Sequence, residues 1–202
     1  MLLVCVHSTV LEAECKWLRS DRNSASAEVR QAKLKRYRDL CSQGDSYGQY
    51  LLGLCYFWGW GVSADSKRAV ELFKLSVEQG NAWGQHMLGL RYYNGEGVSK
   101  DSKRAVELLA LSAEQGNAYG QCEFGLCYYN GQEVSLDYKR AAELFTLSAE
   151  QGNAYGQWIL GMCYYNGTGV TKNRDLARQW LKRAAAQGHE KAEVSLKGWF
   201  NE

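Results

Sequence analysis

The sequence predicts an all-α solenoid of antiparallel helix pairs, and the prediction depends on how its 202 residues repeat. The stretch that begins Gly80-Asn-Ala-Trp-Gly-Gln returns in edited form at Gly116 and Gly152, and a looser copy begins at Gly44, so the period is 36 residues. Within each copy, apolar residues recur at helical spacing in two segments. Self-similarity at a period of about 20–50 residues indicates a repeat architecture.

The register divides the chain into a cap, an array and a closing helix. Residues 1–44 predict a degenerate N-terminal capping helix pair, with one helix after Thr9 and a second over 25–43. Residues 189–202 predict one amphipathic closing helix, because the end of a solenoid needs a polar outer face. Between them lie four repeats, at 45–80, 81–116, 117–152 and 153–188.

Each repeat begins with a helix that we name helix A, predicted over 82–93 in the second copy. A glycine in the middle of a helix costs about 1 kcal/mol against alanine. Its recurrence therefore predicts a close approach of the neighbouring helix at each of Gly53, Gly89, Gly125 and Gly161. A second glycine column, represented by Gly84, has no evident reason in the sequence. The tyrosine column of Tyr92 is expected in the core.

A loop and a second helix, helix B, complete each repeat. The loop Asn94-Gly-Glu-Gly-Val-Ser-Lys supplies two glycines for positive φ in a helix–helix turn. In the third copy Glu133 replaces the second glycine, and we expect that loop to be strained or altered. Helix B is predicted over 102–115 in the second copy. Its predicted N-caps are Asp65, Asp101, Asp137 and Asn173.

Seven cysteines are an odd number for a disulfide framework. Cys55, Cys127 and Cys163 share one column of the repeat, where the second copy has Arg91. Equivalent positions in stacked helices lie roughly 8–10 Å apart, which is too far for a disulfide. We therefore expect reduced, mostly buried thiols and a cytoplasmic location, with secreted and ER-lumenal placement as alternatives.

Composition and motifs narrow the classes of function. The formal net charge is +2, which gives no electrostatic case for nucleic acid or an anionic membrane as a partner. The sequence contains no run of about 18 apolar residues, so no membrane span is predicted. No metal-ligand spacing, P-loop, dinucleotide fingerprint or nucleophile elbow appears, so we predict no metal, cofactor or catalytic residue. The Lys67-Arg68 ladder is expected to pair locally, each lysine with the glutamate four residues on, such as Glu71.

One pattern is specific enough to suggest a family. It is Leu88-Gly89-x-x-Tyr92-x-x-Gly95-x-Gly97-Val98-x-x-Asp101-x-x-x-Ala105, followed by Ala113-x-x-Gly116-Asn117-Ala118. Over at least 45–188 the chain resembles the Sel-1-like repeat, although Ser99 stands where the family usually has proline. The resemblance implies a right-handed α-solenoid with helix A on the concave wall, an adaptor role and no catalytic mechanism. One secreted branch carries a disulfide pair in every repeat, and this chain lacks that pairing.

The concave groove is the predicted binding site for a protein or peptide. If the Leu-Gly-Tyr face of helix A packs, five other positions of each copy face the groove. These are Tyr47, Tyr50, Leu54, Phe57 and Trp58; Trp83, His86, Leu90, Tyr93 and Asn94; Tyr119, Cys122, Leu126, Tyr129 and Asn130; Tyr155, Trp158, Met162, Tyr165 and Asn166. The column from Tyr50 to Trp158 changes chemistry in every copy, as a surface matched to an irregular ligand would. The alternative is that these side chains pad the contact between repeats.

The sequence therefore predicts a non-enzymatic scaffold or adaptor that captures its partner through an aromatic-lined groove, with Trp83 and Trp158 as the main anchors. The second hypothesis is that the chain is a module of a larger regulatory protein and has no binding function of its own. The least expected function is that of a cysteine-rich secreted hydrolase-like repeat protein. The sequence names neither the partner nor the oligomeric state.

Overall fold

A computed structural model of the chain describes residues 26–200, and these residues form helices and connecting loops without a strand. The predicted fold class, an all-α solenoid of helix pairs, is confirmed. The helices are α1 Ala27–Ser42, α2 Ser46–Trp58, α3 Ser66–Glu78, α4 Ala82–Asn94, α5 Ser102–Glu114, α6 Ala118–Asn130, α7 Tyr138–Glu150, α8 Ala154–Asn166, α9 Arg174–Ala185 and α10 Glu190–Phe200.

The helices fall into two compact units. The first holds the described residues up to Gln79 together with Glu96–Val98, and the second holds Gly80–Gly95 and the chain from Ser99 onward. Within the first unit α2 packs on α1 and α3, and within the second unit the helices from α4 to α10 pack in pairs. Helix α1 matches the helix predicted over 25–43, whereas the one predicted after Thr9 lies outside the described residues.

Side-chain caps start the helices, and glycines end them. The four predicted caps before helix B are confirmed; at Asp101, for example, Oδ1 accepts the Arg104 N–H at 2.9 Å. Helix A carries caps that the sequence analysis missed, such as Asn81, whose Oδ1 accepts the Gly84 N–H at 3.0 Å. Helix α4 ends at Gly95, whose φ of 73° is easy for glycine because it has no Cβ.

The predicted close approach between helices A and B occurs at the first glycine column. A Cβ on Gly125 would lie 2.7 Å from Phe145 Cε1, and one on Gly161 would lie 2.9 Å from Leu181 Cγ. Both Phe145 and Leu181 are fully buried. Glycine is therefore needed here because the side chain of helix B occupies the space of a Cβ.

The second glycine column has a different reason, which only the structure supplies. Gly120 on α6 lies against Ser112 of the preceding helix, leaving no space for a Cβ. Ser112 is fully buried, and its Oγ donates to the Ala82 carbonyl oxygen at 2.7 Å. A glutamine pair one turn later repeats along the array: Gln79–Gln49 at 2.9 Å, Gln115–Gln85 at 2.7 Å, Gln151–Gln121 at 2.7 Å and Gln187–Gln157 at 2.8 Å.

The loop of the third copy and the charge pairs of helix B were also predicted from the sequence. The third copy's loop was expected to be strained or altered, and it is strained: Glu133 takes a φ of 54°, close to the 70–74° of the glycines at this position in the other copies, and is the one non-glycine residue with positive φ in the part of the chain described. The local charge pairs form with a different donor from the one predicted. Arg68 donates to Glu71 at 2.8 Å and Arg104 to Glu107 at 2.9 Å, so the arginine three residues away replaces the lysine four away.

The tight helix contact predicts how Gly125→Ala changes stability. The added methyl group overpacks the helix contact, which costs about 1–3 kcal/mol, whereas the better helix propensity of alanine contributes about 1 kcal/mol. We therefore expect the free energy of unfolding to fall by roughly 1 kcal/mol. Gly198→Ala is the matched control, because no atom lies within 4 Å of a Cβ on that helical residue. It should raise the free energy of unfolding by roughly 0.5–1 kcal/mol in urea titrations. Equal gains from both substitutions would contradict the close approach.

Candidate functional site: an aromatic pocket

A pocket of about 160 Å³ opens between α6 and α8 in the second unit. Its walls are Leu126, Tyr129, Tyr155, Trp158, Ile159, Met162, Cys163, Asn166 and Thr168. Six of the nine are residues at predicted groove positions: Leu126, Tyr129, Tyr155, Trp158, Met162 and Asn166. The structure therefore brings together groove residues of the third and fourth copies in a single concave site.

Helical spacing explains why α8 supplies most of the wall. Tyr155, Ile159, Met162 and Asn166 follow one another at intervals of four, three and four residues, which places them on one face of the helix. Behind that face a buried core that includes Phe145 holds α8 in place. No charged side chain lines the pocket, and the exposed Asn166 contributes an amide group.

The column Tyr50, His86, Cys122 and Trp158 was predicted to face the groove. For the first three of these residues the prediction is wrong, because their side chains are buried. Tyr50, His86 and Cys122 have relative exposures of 0%, 3% and 1%. In the first unit Tyr50 packs between the rings of Tyr47 and Phe73, with centroids 5.4 and 6.2 Å away. In the second unit the ring of His86 lies 5.8 Å from that of Tyr119 on the next helix A. These side chains pad helix contacts, as the alternative interpretation held.

The closing helix α10 and the residue before it, His189, pack against aromatic residues of the fourth copy. The ring of Trp158 stacks on His189 at 5.3 Å, and its Nε1 donates to Ser195 Oγ at 3.4 Å. Tyr165 stacks on Trp199 at 4.0 Å. Trp158 therefore contributes both to the pocket and to the docking of α10, so truncating it would disturb both features.

The other predicted groove residues lie outside the pocket. Tyr47 and Leu54 are buried, and Phe57 and Trp58 contact each other with ring centroids 6.0 Å apart. The Trp83 ring lies 5.5 Å from the Tyr119 ring. Three further members lie at helix ends: Tyr93, whose hydroxyl accepts a hydrogen bond from Gln132 at 2.8 Å, and the exposed Asn94 and Asn130.

The sequence analysis missed Glu123, which stands in an otherwise apolar column. Its counterparts Leu51, Met87 and Ile159 have relative exposures of 2%, 4% and 7%. Burial raises the pKa of the Glu123 carboxyl above its ordinary value. Burial is also the main cause of the raised pKa of Tyr155 in the pocket wall, with smaller contributions from Cys122 and Glu123. Aligning the four copies would have exposed this single acidic residue among aliphatic ones.

Burial raises the pKa of the thiols in the second unit and so lowers the fraction present as the reactive thiolate. Burial raises the pKa of Cys163, a pocket residue, from the ordinary 9.0 to about 11 and that of Cys127 likewise to about 11. Within residues 26–200 the cysteines form no disulfide, and no cluster of three or more His, Cys, Asp or Glu side chains has the geometry of a metal site. None of the described helices has the length and apolar character needed to cross a bilayer.

Comparison with protein families and solved structures identifies the repeat. The family model described as Sel1 repeat matches residues 46–81, 84–117, 118–153 and 154–189. No curated protein matches the chain.

Three solved structures show how far the similarity extends. A Sel1 repeat protein from Oxalobacter formigenes has a TM-score of 0.74 and 30% identity, over 82% of this chain and 66% of that one. The protective antigen c5321 of uropathogenic Escherichia coli, with an SLR fold, has a TM-score of 0.71 and 34% identity, over 81% of this chain and only 36% of that one. Helicobacter pylori cysteine rich protein B has a TM-score of 0.51 and 25% identity, over 64% and 92%.

The raised pKa of Cys163 predicts its alkylation profile. A thiol with a pKa of about 11 has roughly a hundredth of the thiolate at pH 8 that a thiol of pKa 9.0 has, and higher intrinsic nucleophilicity restores roughly tenfold. Iodoacetamide should therefore label Cys163 at least about tenfold more slowly in the folded chain than in urea. Its rate should keep rising through pH 9.5, as peptide-resolved mass spectrometry can follow. A plateau near pH 9 in the folded chain would contradict this pKa.

Proposed function

Because this chain belongs to the Sel1 repeat family, whose members are generally non-catalytic scaffolds for protein interactions, we propose that it captures a segment of a partner protein in the pocket between α6 and α8. The observation that carries the proposal is the convergence of six predicted groove residues on one apolar pocket. Tyrosine and tryptophan side chains supply much of the binding energy at protein interfaces, and methionine is enriched in interface cores.

The size of the pocket favours a side chain as its occupant. Small-molecule and cofactor sites typically enclose about 300–1,000 Å³, and this pocket encloses about 160 Å³. A single apolar side chain of a partner fits a space of that order and would remove the Met162 and Tyr129 surfaces from water. Such burial contributes about 25 cal/mol per Å² of apolar area.

The surface beside the pocket extends the apolar contact. Tyr129, on the pocket wall, contacts the ring of Tyr138 edge-on at 5.2 Å. Tyr138 and Leu136 are 42% and 54% exposed, although the second copy has Ser102 and Lys100 at these positions. The third copy therefore carries additional exposed apolar area beside the pocket, which supports a bound segment longer than one side chain.

A second candidate function is a repeat module of a larger regulator, with no binding of its own. One observation favours it, namely that residues 112–121 and 148–157 are the same ten residues, as recent duplication of a spacer would leave them. The chain also spans only 36% of the length of the Escherichia coli antigen.

The pocket hypothesis predicts that Met162→Glu removes partner capture. A charge placed in the apolar pocket is desolvated by any apolar side chain that enters, so affinity should fall at least about tenfold. The matched control is Leu147→Glu, because Leu147 is 48% exposed on α7 and lies outside the pocket.

The measurement is affinity capture with quantitative mass spectrometry, followed by calorimetric titration of the purified partner. Proteins retained by the wild-type chain and by the Leu147→Glu variant should be absent from the Met162→Glu eluate, while circular dichroism melting of the variants stays similar. If the Met162→Glu variant captures the same proteins as the wild-type chain, the pocket hypothesis is wrong. No specific capture by any variant favours the spacer module.

A further inference from the structure

One column of the repeat places a tyrosine near the end of each helix A in the second unit, at Tyr93, Tyr129 and Tyr165. Two of the three are engaged by other residues of that unit. The hydroxyl of Tyr93 accepts a hydrogen bond from Gln132 Nε2 at 2.8 Å. The ring of Tyr165 stacks on Trp199 of α10 at 4.0 Å. Tyr129 lines the pocket and is 36% exposed, and in the part of the chain described no group hydrogen-bonds to its hydroxyl.

Gln132 and Thr168 also share one column, in the loop that follows helix A. The N–H of Gln132 donates to the Cys127 carbonyl oxygen at 2.9 Å. The N–H of Thr168 donates to the Cys163 carbonyl oxygen at 3.0 Å, so the two backbones are held alike. The side chain of Gln132 reaches the helix A before its own, whereas the shorter Thr168 ends in the pocket wall. Between α6 and α8 the chain therefore leaves open the space that an amide group occupies between α4 and α6.

The closed groove between α4 and α6 indicates which ligand chemistry suits the open one. There a carboxamide N–H donates to the tyrosine hydroxyl, whose oxygen can accept hydrogen bonds. In the open groove, the pocket that Tyr129 lines also contains apolar side chains such as Leu126 and Met162, and no carboxylate that could pair with a cation. A neutral amide is much less costly to bring into such a site than an ammonium or guanidinium group. The carboxamide of glutamine therefore fits the Tyr129 hydroxyl best.

We propose that the Tyr129 hydroxyl determines which segments the pocket accepts, by accepting a hydrogen bond from a glutamine side chain of the partner while a neighbouring apolar side chain of the same segment fills the pocket. This inference rests on the proposed function and names the chemistry of the partner at that site. The partner's amide lies where the amide of Gln132 lies one repeat earlier, and the short Thr168 leaves this place open. A segment that buries the Tyr129 hydroxyl without a donor binds more weakly.

The test uses the full chain and a phage-displayed library of random heptapeptides. Selected peptides should carry a glutamine beside an apolar residue. Their affinities are then measured by fluorescence anisotropy against the wild-type chain and against the Tyr129→Phe, Thr168→Gln and Met162→Glu variants. Gln132→Met is the matched control, because it removes the amide between α4 and α6, keeps a long side chain there and lies outside the pocket.

Tyr129→Phe and replacement of the peptide glutamine by methionine should each weaken binding about three- to tenfold, as the loss of one neutral hydrogen bond does, with little further loss when the two changes are combined. Thr168→Gln should weaken binding at least about tenfold, because its own amide reaches Tyr129 and takes the place of the ligand. Gln132→Met should change the affinity by less than about twofold, since it acts at a separate groove.

The unfolding midpoint separates occlusion of the pocket from damage to the loop. The midpoint of Thr168→Gln should equal or exceed that of the wild-type chain, because the new side chain fills a groove and gains a hydrogen bond. A lower midpoint would assign its loss of binding to damage, and Tyr129→Phe with the peptide exchange then decides alone.

Peptides without an enriched glutamine, or equal binding to Tyr129→Phe, would overturn the role of the Tyr129 hydroxyl, as would a Thr168→Gln variant that binds like the wild-type chain. If Met162→Glu still abolishes binding in that case, the proposed pocket stands without it. If Met162→Glu leaves binding unchanged, or if the library yields no binder to the wild-type chain, the proposed function itself fails and this inference with it.

Discussion

The contact between a bare glycine of helix A and a bulky residue of helix B is the constraint on which the rest depends. At Gly125 the ring of Phe145 takes the volume that a Cβ would fill, so the two backbones approach closely. This contact determines which face of helix A packs. The remaining face, with Leu126 and Tyr129, is then available to form a pocket with α8.

Repeated polar contacts keep the same register along each unit. A buried serine on helix B donates to the first turn of helix A, and a glutamine pair joins the two helices one turn further on. These groups satisfy each other, and the glutamines recur in all four repeats, whereas the serine recurs in the first three and Ala184 stands in its place in the fourth. The copies also differ at positions outside these contacts, such as Glu123 and the loop residue Glu133.

The predicted groove residues divide according to what covers them. Helical periodicity placed Tyr155, Met162 and Asn166 on one face, and the structure puts them in one pocket. The same periodicity also selected His86 and Cys122, which are buried because the next helix A lies over them. Periodicity specifies a direction around the helix axis, but it does not specify which neighbouring element stands in that direction.

The sequence by itself determined the helix pairs, their period, the caps of helix B and the close approach at the first glycine column. Each follows from local rules, since a cap, a turn glycine and an apolar stripe act within a few residues. Only the tertiary structure decided which aromatic side chains are exposed, why the second glycine column exists and which groove residues form one pocket. Those features depend on the distance between helices far apart in the chain, and that distance results from the packing of all their side chains together.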